Sequence, residues 1–166
     1  MAIWQDSTGA LHDDMAGAAL SLPGWPQGMT QLTEAQAQAL QNPLPTLDQA
    51  RAAQIATITI AYQNAIAQPV GFTTAGGVTE TFQADATSQQ ILVQTTTGYN
   101  LAGAVPEGFW WKAADNTPVP FILTDLKGLY LAMLAQGWRA FQQLQTLKTQ
   151  INAAASFSSV EAVVWS

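Results

Sequence analysis

The order of elements legible in this chain predicts an α+β fold. Two β-hairpins form a small antiparallel sheet packed on long helices, and an N-terminal hairpin forms an appendage to them. Three observations carry that expectation. The segments Pro69-Val70-Gly71-Phe72 and Pro106-Glu107-Gly108-Phe109 each open a stretch that soon meets turn residues, Gly76-Gly77 in one case and Asp115-Asn116 in the other. Helix-capping sequences stand in front of the helical stretches. From Leu126 to Ile151, apolar residues recur three and four apart, as one face of a helix requires.

The elements follow in order. Ile3-Trp4-Gln5 leads into Asp6-Ser7-Thr8-Gly9, where glycine supplies a positive φ, and Ala10-Leu11-His12 returns as the second strand. A lone two-stranded hairpin is marginal in water, so this one needs something to lean on. Leu22 to Gly28 holds two prolines and two glycines and is a loop. Thr33-Glu34-Ala35-Gln36 is a capping box that opens a short helix, and Asn42-Pro43-Leu44-Pro45 ends it. That Pro-rich stretch sets a boundary between an N-terminal appendage, residues 1–45, and a main domain, residues 46–166.

Thr46-Leu47-Asp48-Gln49 repeats the capping box and starts a helix that runs to Gln68. Ile58, Ile60 and Tyr62 also alternate as a strand would. Helix is favoured because Ile55, Ile58, Tyr62 and Ala65 share one helical face amid alanines and glutamines, which are good helix formers. Two β-β-α units follow. The first hairpin, about 70 to 84, turns at Ala75-Gly76-Gly77 and passes at Asp85 into a helix carrying Ile91, Leu92, Thr95 and Tyr99. The second, about 108 to 122, turns at Asp115-Asn116, and Thr124 caps the long helix 125 to 153. The four strands are expected in one antiparallel sheet. The long helix is expected to bury Leu126, Leu129, Met133, Leu134, Trp138, Phe141, Leu144 and Ile151 on a single face. Ser158-Ser159-Val160-Glu161 is a further capping box for a short final helix.

Composition narrows the function. Only 10% of residues are charged, against roughly 25% in ordinary globular proteins. The polar surface must come from amides and hydroxyls, and 19 glutamines fill that need. Such a surface suits docking to other protein, a second copy of the chain included. The net charge is -6, with five Lys and Arg and no basic run, so the phosphate-neutralising patch of a nucleic-acid binder is absent from the sequence. No apolar run approaches the ~20 residues that span a bilayer, and the N-terminus lacks the basic start and apolar core of a signal peptide. A cytoplasmic protein without membrane or nucleic-acid partners is the expectation. With no cysteine, disulfide and thiolate chemistry are excluded.

Catalytic patterns are thin. The single histidine, His12, stands beside Asp13 and Asp14 and reads as a solvated surface residue rather than a metal ligand or a catalytic base. Glu80, Asp85, Glu107 and Asp115 leave a paired-carboxylate glycosidase open, with capping or solvated roles expected for each. Gly76-Gly77 lacks the lysine and helix of a phosphate loop. No catalytic residue, metal site or cofactor is therefore expected. The aromatics are more informative. Trp110 and Trp111 are adjacent in a strand and must point to opposite faces, so one enters the core and the other is covered by a helix, a partner or a sugar, or is left bare. Trp4 and Trp25 sit in a small segment with little core of its own. Trp4, Trp25, Trp110 and Trp111 are the candidate partner-binding residues.

The pieces Phe72-Thr73-Thr74-Ala75-Gly76-Gly77 and Ala113-Ala114-Asp115-Asn116, with Pro118-Val119-Pro120-Phe121 leading into the long helix, carry a family resemblance. Residues from about 46 to 166 resemble a domain of uncharacterised biochemistry that recurs at the ends of bacteriophage tail-fibre proteins and in small tail-fibre assembly proteins. The resemblance implies a non-enzymatic tail-fibre assembly protein, a chaperone or adaptor that engages the receptor-binding fibre in the host cytoplasm. As the alternative, it allows a structural component of the virion tail fibre or baseplate. Outside the resemblance stands a third reading, a small carbohydrate-binding or degrading module.

Overall fold

A computed structural model describes residues 2–14 and 28–166. The expected Pro-Gly-Trp-Pro loop, and Trp25 with it, lie outside the described residues. The chain divides into two compact units, Met1–Thr46 and Leu47–Ser166.

In the first unit, strands β1 (Ala2–Gln5), β2 (Leu11–Asp14) and β3 (Thr30–Leu32) form an antiparallel sheet in the order β2-β1-β3. The expected hairpin is there, and its partner is a third strand laid along β1. Its turn is closed by Asp6, whose Oδ1 accepts from the Thr8 and Ala10 N–H groups at 2.8 and 3.0 Å, with Gly9 at φ 90°. Helix α1 (Glu34–Gln41) opens on a reciprocal box: Thr33 Oγ1 accepts from the Gln36 N–H, and Gln36 Oε1 accepts from the Thr33 N–H at 2.9 Å.

The second unit runs α2 (Leu47–Ile66), β4 (Val70–Thr73), β5 (Thr79–Phe82), α3 (Ala86–Ala102), β6 (Trp110–Lys112), β7 (Pro118–Pro120), α4 (Leu123–Ala153) and α5 (Phe157–Glu161). This is an α+β arrangement of small antiparallel sheets packed against long helices. The expected single four-stranded sheet is instead two hairpins, β4-β5 and β6-β7. They are joined where the Ala114 N–H donates to the Thr81 carbonyl at 2.7 Å. That donor lies in the turn beyond β6, so the hairpins meet at a corner rather than edge to edge. Prolines at both ends of β7 also lack the N–H needed to extend a ladder.

Two apolar clusters make the core. Val70, Phe82, Leu92, Val119, Phe121, Leu126 and Leu129 form the first, where Phe82 and Phe121 meet edge to face at 5.2 Å. Ile58, Leu144, Ile151 and Val160 form the second, under α2 and α5. Helix α4, about 46 Å long at 1.5 Å per residue, serves both clusters. Its start differs from the expectation. Thr124 is not the cap; Ile122 holds the N-cap position, and Asp125, third in the helix, reaches back. Asp125 Oδ2 accepts from the Ile122 N–H at 2.9 Å, while Oδ1 accepts from the Ala75 N–H at 2.7 Å in the turn of the first hairpin. The final helix also starts earlier than expected, with Ser156 rather than Ser158 as its cap, and this turns Val160 into the second cluster.

Glutamines close the C-terminal end of α2, which has no basic residue in its last turn. Gln136 Nε2 donates to the carbonyls of Ala65 and Gln68, and Gln89 Nε2 donates to those of Ile66 and Ala84. Uncharged amides thus do what lysine or arginine does in more charged proteins.

Substitutions at three positions check this account. Asp125→Ala strands two backbone donors at a site 3% exposed and should lower stability by about 2–4 kcal/mol. Asp125→Asn, which keeps one acceptor oxygen, should cost less. Urea unfolding with an unchanged m-value reads both. Gly128 offers a second check, since a Cβ there would stand 2.8 Å from Phe72 Cε2 and Cζ. The Phe72 ring is itself hemmed in by Phe82 and Phe121. Gly128→Ala should therefore destabilise by about 1–3 kcal/mol despite its better helix propensity. Gly98→Ala in α3, where a Cβ meets nothing within 4 Å, should stabilise by about 0.5–1 kcal/mol.

Candidate functional site

Strand β6 resolves its two tryptophans by alternation. Trp111 turns inward, stacked on Phe121 at 6.4 Å and 27° and beside Phe109. Trp110 turns outward and is 55% exposed. The hairpin that presents it is fixed by chemistry local to its turn. Asn116 takes a left-handed φ of 73°, and Asp115 accepts from both the N–H and the hydroxyl of Thr117 at 2.9 Å. Trp110 borders an open groove of about 370 Å³ lined by Gln83, Ser88, Ile91, Trp110, Trp111 and Lys112. One wall is apolar, and the others supply an amide and an ammonium group. The Ser88 hydroxyl is already committed to Asp85 Oδ2 at 2.6 Å. Such a groove can hold an apolar side chain of a partner against Trp110 while Gln83 and Lys112 meet backbone or polar groups. It can also seat a sugar ring on the indole face.

The acids of the glycosidase reading sit on four separate segments. Asp85 caps α3, accepting from Thr87 and Ser88, and the Ser88 hydroxyl holds its carboxyl below the usual carboxylate range. Asp115 is lowered by its bonds to the Thr117 backbone and hydroxyl. Both are held in the ionised form by turn-closing bonds, the opposite of what a proton donor requires. Glu80 lies on β5, half-buried, and Glu107 is exposed ahead of β6. No cluster of three or more metal-ligating groups occurs among the described residues.

In the first unit His12 is less solvated than expected. It stands on β2 opposite Trp4, with Nε2 2.8 Å from Asp6 Oδ2. The Thr8 hydroxyl first, and His12 second, hold the Asp6 carboxyl well below the ordinary range. Trp4 is half-buried on the central strand, and its indole Nε1 is buried without a hydrogen-bond partner among the described residues. Trp25 lies outside those residues.

The structure adds a surface that includes Leu134, Trp138 and Phe141, three residues expected in the core from the sequence, together with Leu131, which was not. On α4, Leu131, Leu134, Trp138 and Phe141 are 62%, 50%, 59% and 41% exposed, and Trp138 and Phe141 stack on each other at 5.8 Å and 22°. The apolar arc read from the sequence covers about half the helix circumference, too wide for one contact. Its inner side, with Leu126, Leu129, Met133, Leu144 and Ile151, is core. Its outer side is bare; Leu131, Leu134, Trp138 and Phe141 there repeat at three, four and three, the same spacing as the inner side, so only packing tells the two apart. Beside this strip Tyr62 and Ile66 of α2 and Gln89 of α3 bound a concavity of about 490 Å³. In dilute solution Trp138→Ala should therefore cost only about 0.5–1.5 kcal/mol, the worth of an aromatic pair. Phe82→Ala, at a fully buried ring, should cost about 3–5 kcal/mol. Parallel thermal and urea melts of the two variants give the comparison.

A family model described as a domain of unknown function (DUF4376) matches residues 49–164. No curated protein and no solved structure matches the chain.

Proposed function

We propose that this chain, which belongs to the DUF4376 family, is a non-enzymatic bacteriophage tail-fibre assembly protein that engages the receptor-binding fibre through the exposed Trp110 surface. The observation that carries the reading is Trp110, turned outward on a hairpin whose other tryptophan packs against the core. A large aromatic with few rotatable bonds, presented outward from a hairpin, is what a binding hot spot uses. The resemblance of the Phe72–Gly77 and Ala113–Asn116 turns to those of tail-fibre proteins supports the choice of partner. Both pieces form hairpin turns, and the second belongs to the hairpin that carries Trp110. The low charge of the chain favours apolar recognition over electrostatic capture.

The mode of action is binding during fibre folding or trimerisation in the host cytoplasm. The alternative is a structural part of the tail fibre or baseplate, and the same surface serves it. Mass spectrometry of mature particles separates the two, since an assembly factor is left behind and a structural part is retained. A carbohydrate module is the second reading, favoured by the indole face of Trp110 beside Gln83 and Lys112.

Affinity capture from cells expressing the tail-fibre genes tests the main reading. Wild type should retain a fibre protein, and Trp110→Ala should weaken that retention at least tenfold with the melting temperature nearly unchanged. Unimpaired capture by the variant removes Trp110 from the interface, and failure of wild type to retain any fibre protein sinks the proposal. Release of reducing ends from host polysaccharide, lost on changing Glu80, Glu107 or Asp115, would install the enzymatic reading in its place.

A further inference from the structure

The bare strip of α4 has the spacing of a coiled-coil seam. Leu131, Leu134, Trp138 and Phe141 follow at intervals of three, four and three, the a/d repeat that carries one helix along another. They lie well inside a helix of 31 residues. All four are at least 41% exposed. Together they offer roughly 400–500 Å² of apolar surface, near the upper end of what a monomer leaves uncovered. A stable interface draws about 800 Å² from each partner, and the concavity beside the seam, walled by Tyr62 and Ile66, adds to the strip.

We infer that a second copy of this chain covers the seam, α4 against α4 and antiparallel, about a two-fold axis near residue 136. The order of side chains argues for it. Two leucines are followed by two aromatics, so an antiparallel pairing sets Leu134 against Trp138 of the second copy and Leu131 against its Phe141, small against large at each step. A parallel pairing would set Trp138 on Trp138. The flanks of the seam near the axis are Ala135, Gly137 and Gln142, which bring no like charges together and hold no charge pattern that would select a different helix. Ala135 and Gly137 are also small, and a Cβ added at Gly137 would meet nothing within 4 Å, so the backbones can approach closely where they cross. One heptad out, the antiparallel register places Lys127 opposite Gln145 instead of opposite another lysine. The inference is independent of the fibre proposal, because it concerns a different face of the same unit.

Sedimentation equilibrium of the full chain tests the stoichiometry, and the absence of cysteine makes single-cysteine cross-linking a clean test of direction. The wild type should be a dimer at micromolar concentration. Trp138→Glu should raise its dissociation constant at least tenfold while the monomer keeps its helical circular dichroism and its fibre capture. Under mild oxidation Ala135→Cys should form a disulfide-linked dimer. Gln145→Cys should not, since antiparallel pairing holds its two copies roughly 27 Å apart along the helices. A chain that stays monomeric at about 100 μM, a trimer, or efficient cross-linking through Gln145→Cys would each overturn the inference.

Discussion

The carboxyl group of Asp125 is the constraint on which the second unit depends. It is buried, and its two oxygens accept from N–H groups on two different segments, Ile122 at the head of α4 and Ala75 in the turn of the first hairpin. A buried backbone donor without a partner costs more than an average hydrogen bond contributes, so neither bond can be given up cheaply. The pair of bonds therefore fixes where α4 starts, and how it is rotated, relative to β4-β5. At 100° per residue everything downstream is then phased. Gly128 falls under the Phe72 ring, Leu126, Leu129 and Met133 enter the first cluster, and Leu144 and Ile151 reach the second. By the same phasing, Leu131, Leu134, Trp138 and Phe141 come to rest on the outside.

That dependence explains what could be read from the sequence. Local chemistry was legible because it needs no knowledge of the fold. The Asp6 to Gly9 turn, the Thr33 box, the helical state of residues 47–66, the turn at Asp115-Asn116 and the Asp85 cap are each decided within a few residues. Features set by distant partners were not legible. A hydroxyl at Thr124 looks like a cap, but an acid one residue later that also serves Ala75 takes the role, because it satisfies two donors at once. The four strands look alike, yet prolines in β7 and a joint through Ala114 divide them into two hairpins. A period of two predicts that Trp110 and Trp111 diverge; only the packing of Trp111 on Phe121 says which one leaves the core.

The scarcity of charge has a consistent expression in the structure. Gln136 and Gln89 terminate α2, and Gln54 donates to the Val163 carbonyl at 2.6 Å to hold the C-terminal segment. Such neutral bonds are little affected by ionic strength, unlike surface ion pairs, which added salt screens. Charge is equally scarce at the two exposed aromatic surfaces. The Trp110 groove has one cation, Lys112, and the α4 seam has none between Leu131 and Phe141 apart from Arg139, which lies off the strip.

A surface of this kind trades speed of encounter for contact area. Without long-range steering, association proceeds at the rate set by orientational search, and affinity comes from slow dissociation of well-buried aromatics. Rigidity then decides the outcome, because each immobilised side chain subtracts from the binding free energy. Trp110 is braced by a hairpin with its partner residue in the core, and Trp138 is braced by its stack with Phe141 on a helix whose phase is fixed from Asp125. Both exposed aromatic surfaces are thus positioned by the same buried framework. The framework itself does not depend on either, since neither ring fills the core, so substitutions at each surface are tolerated at little cost to the fold.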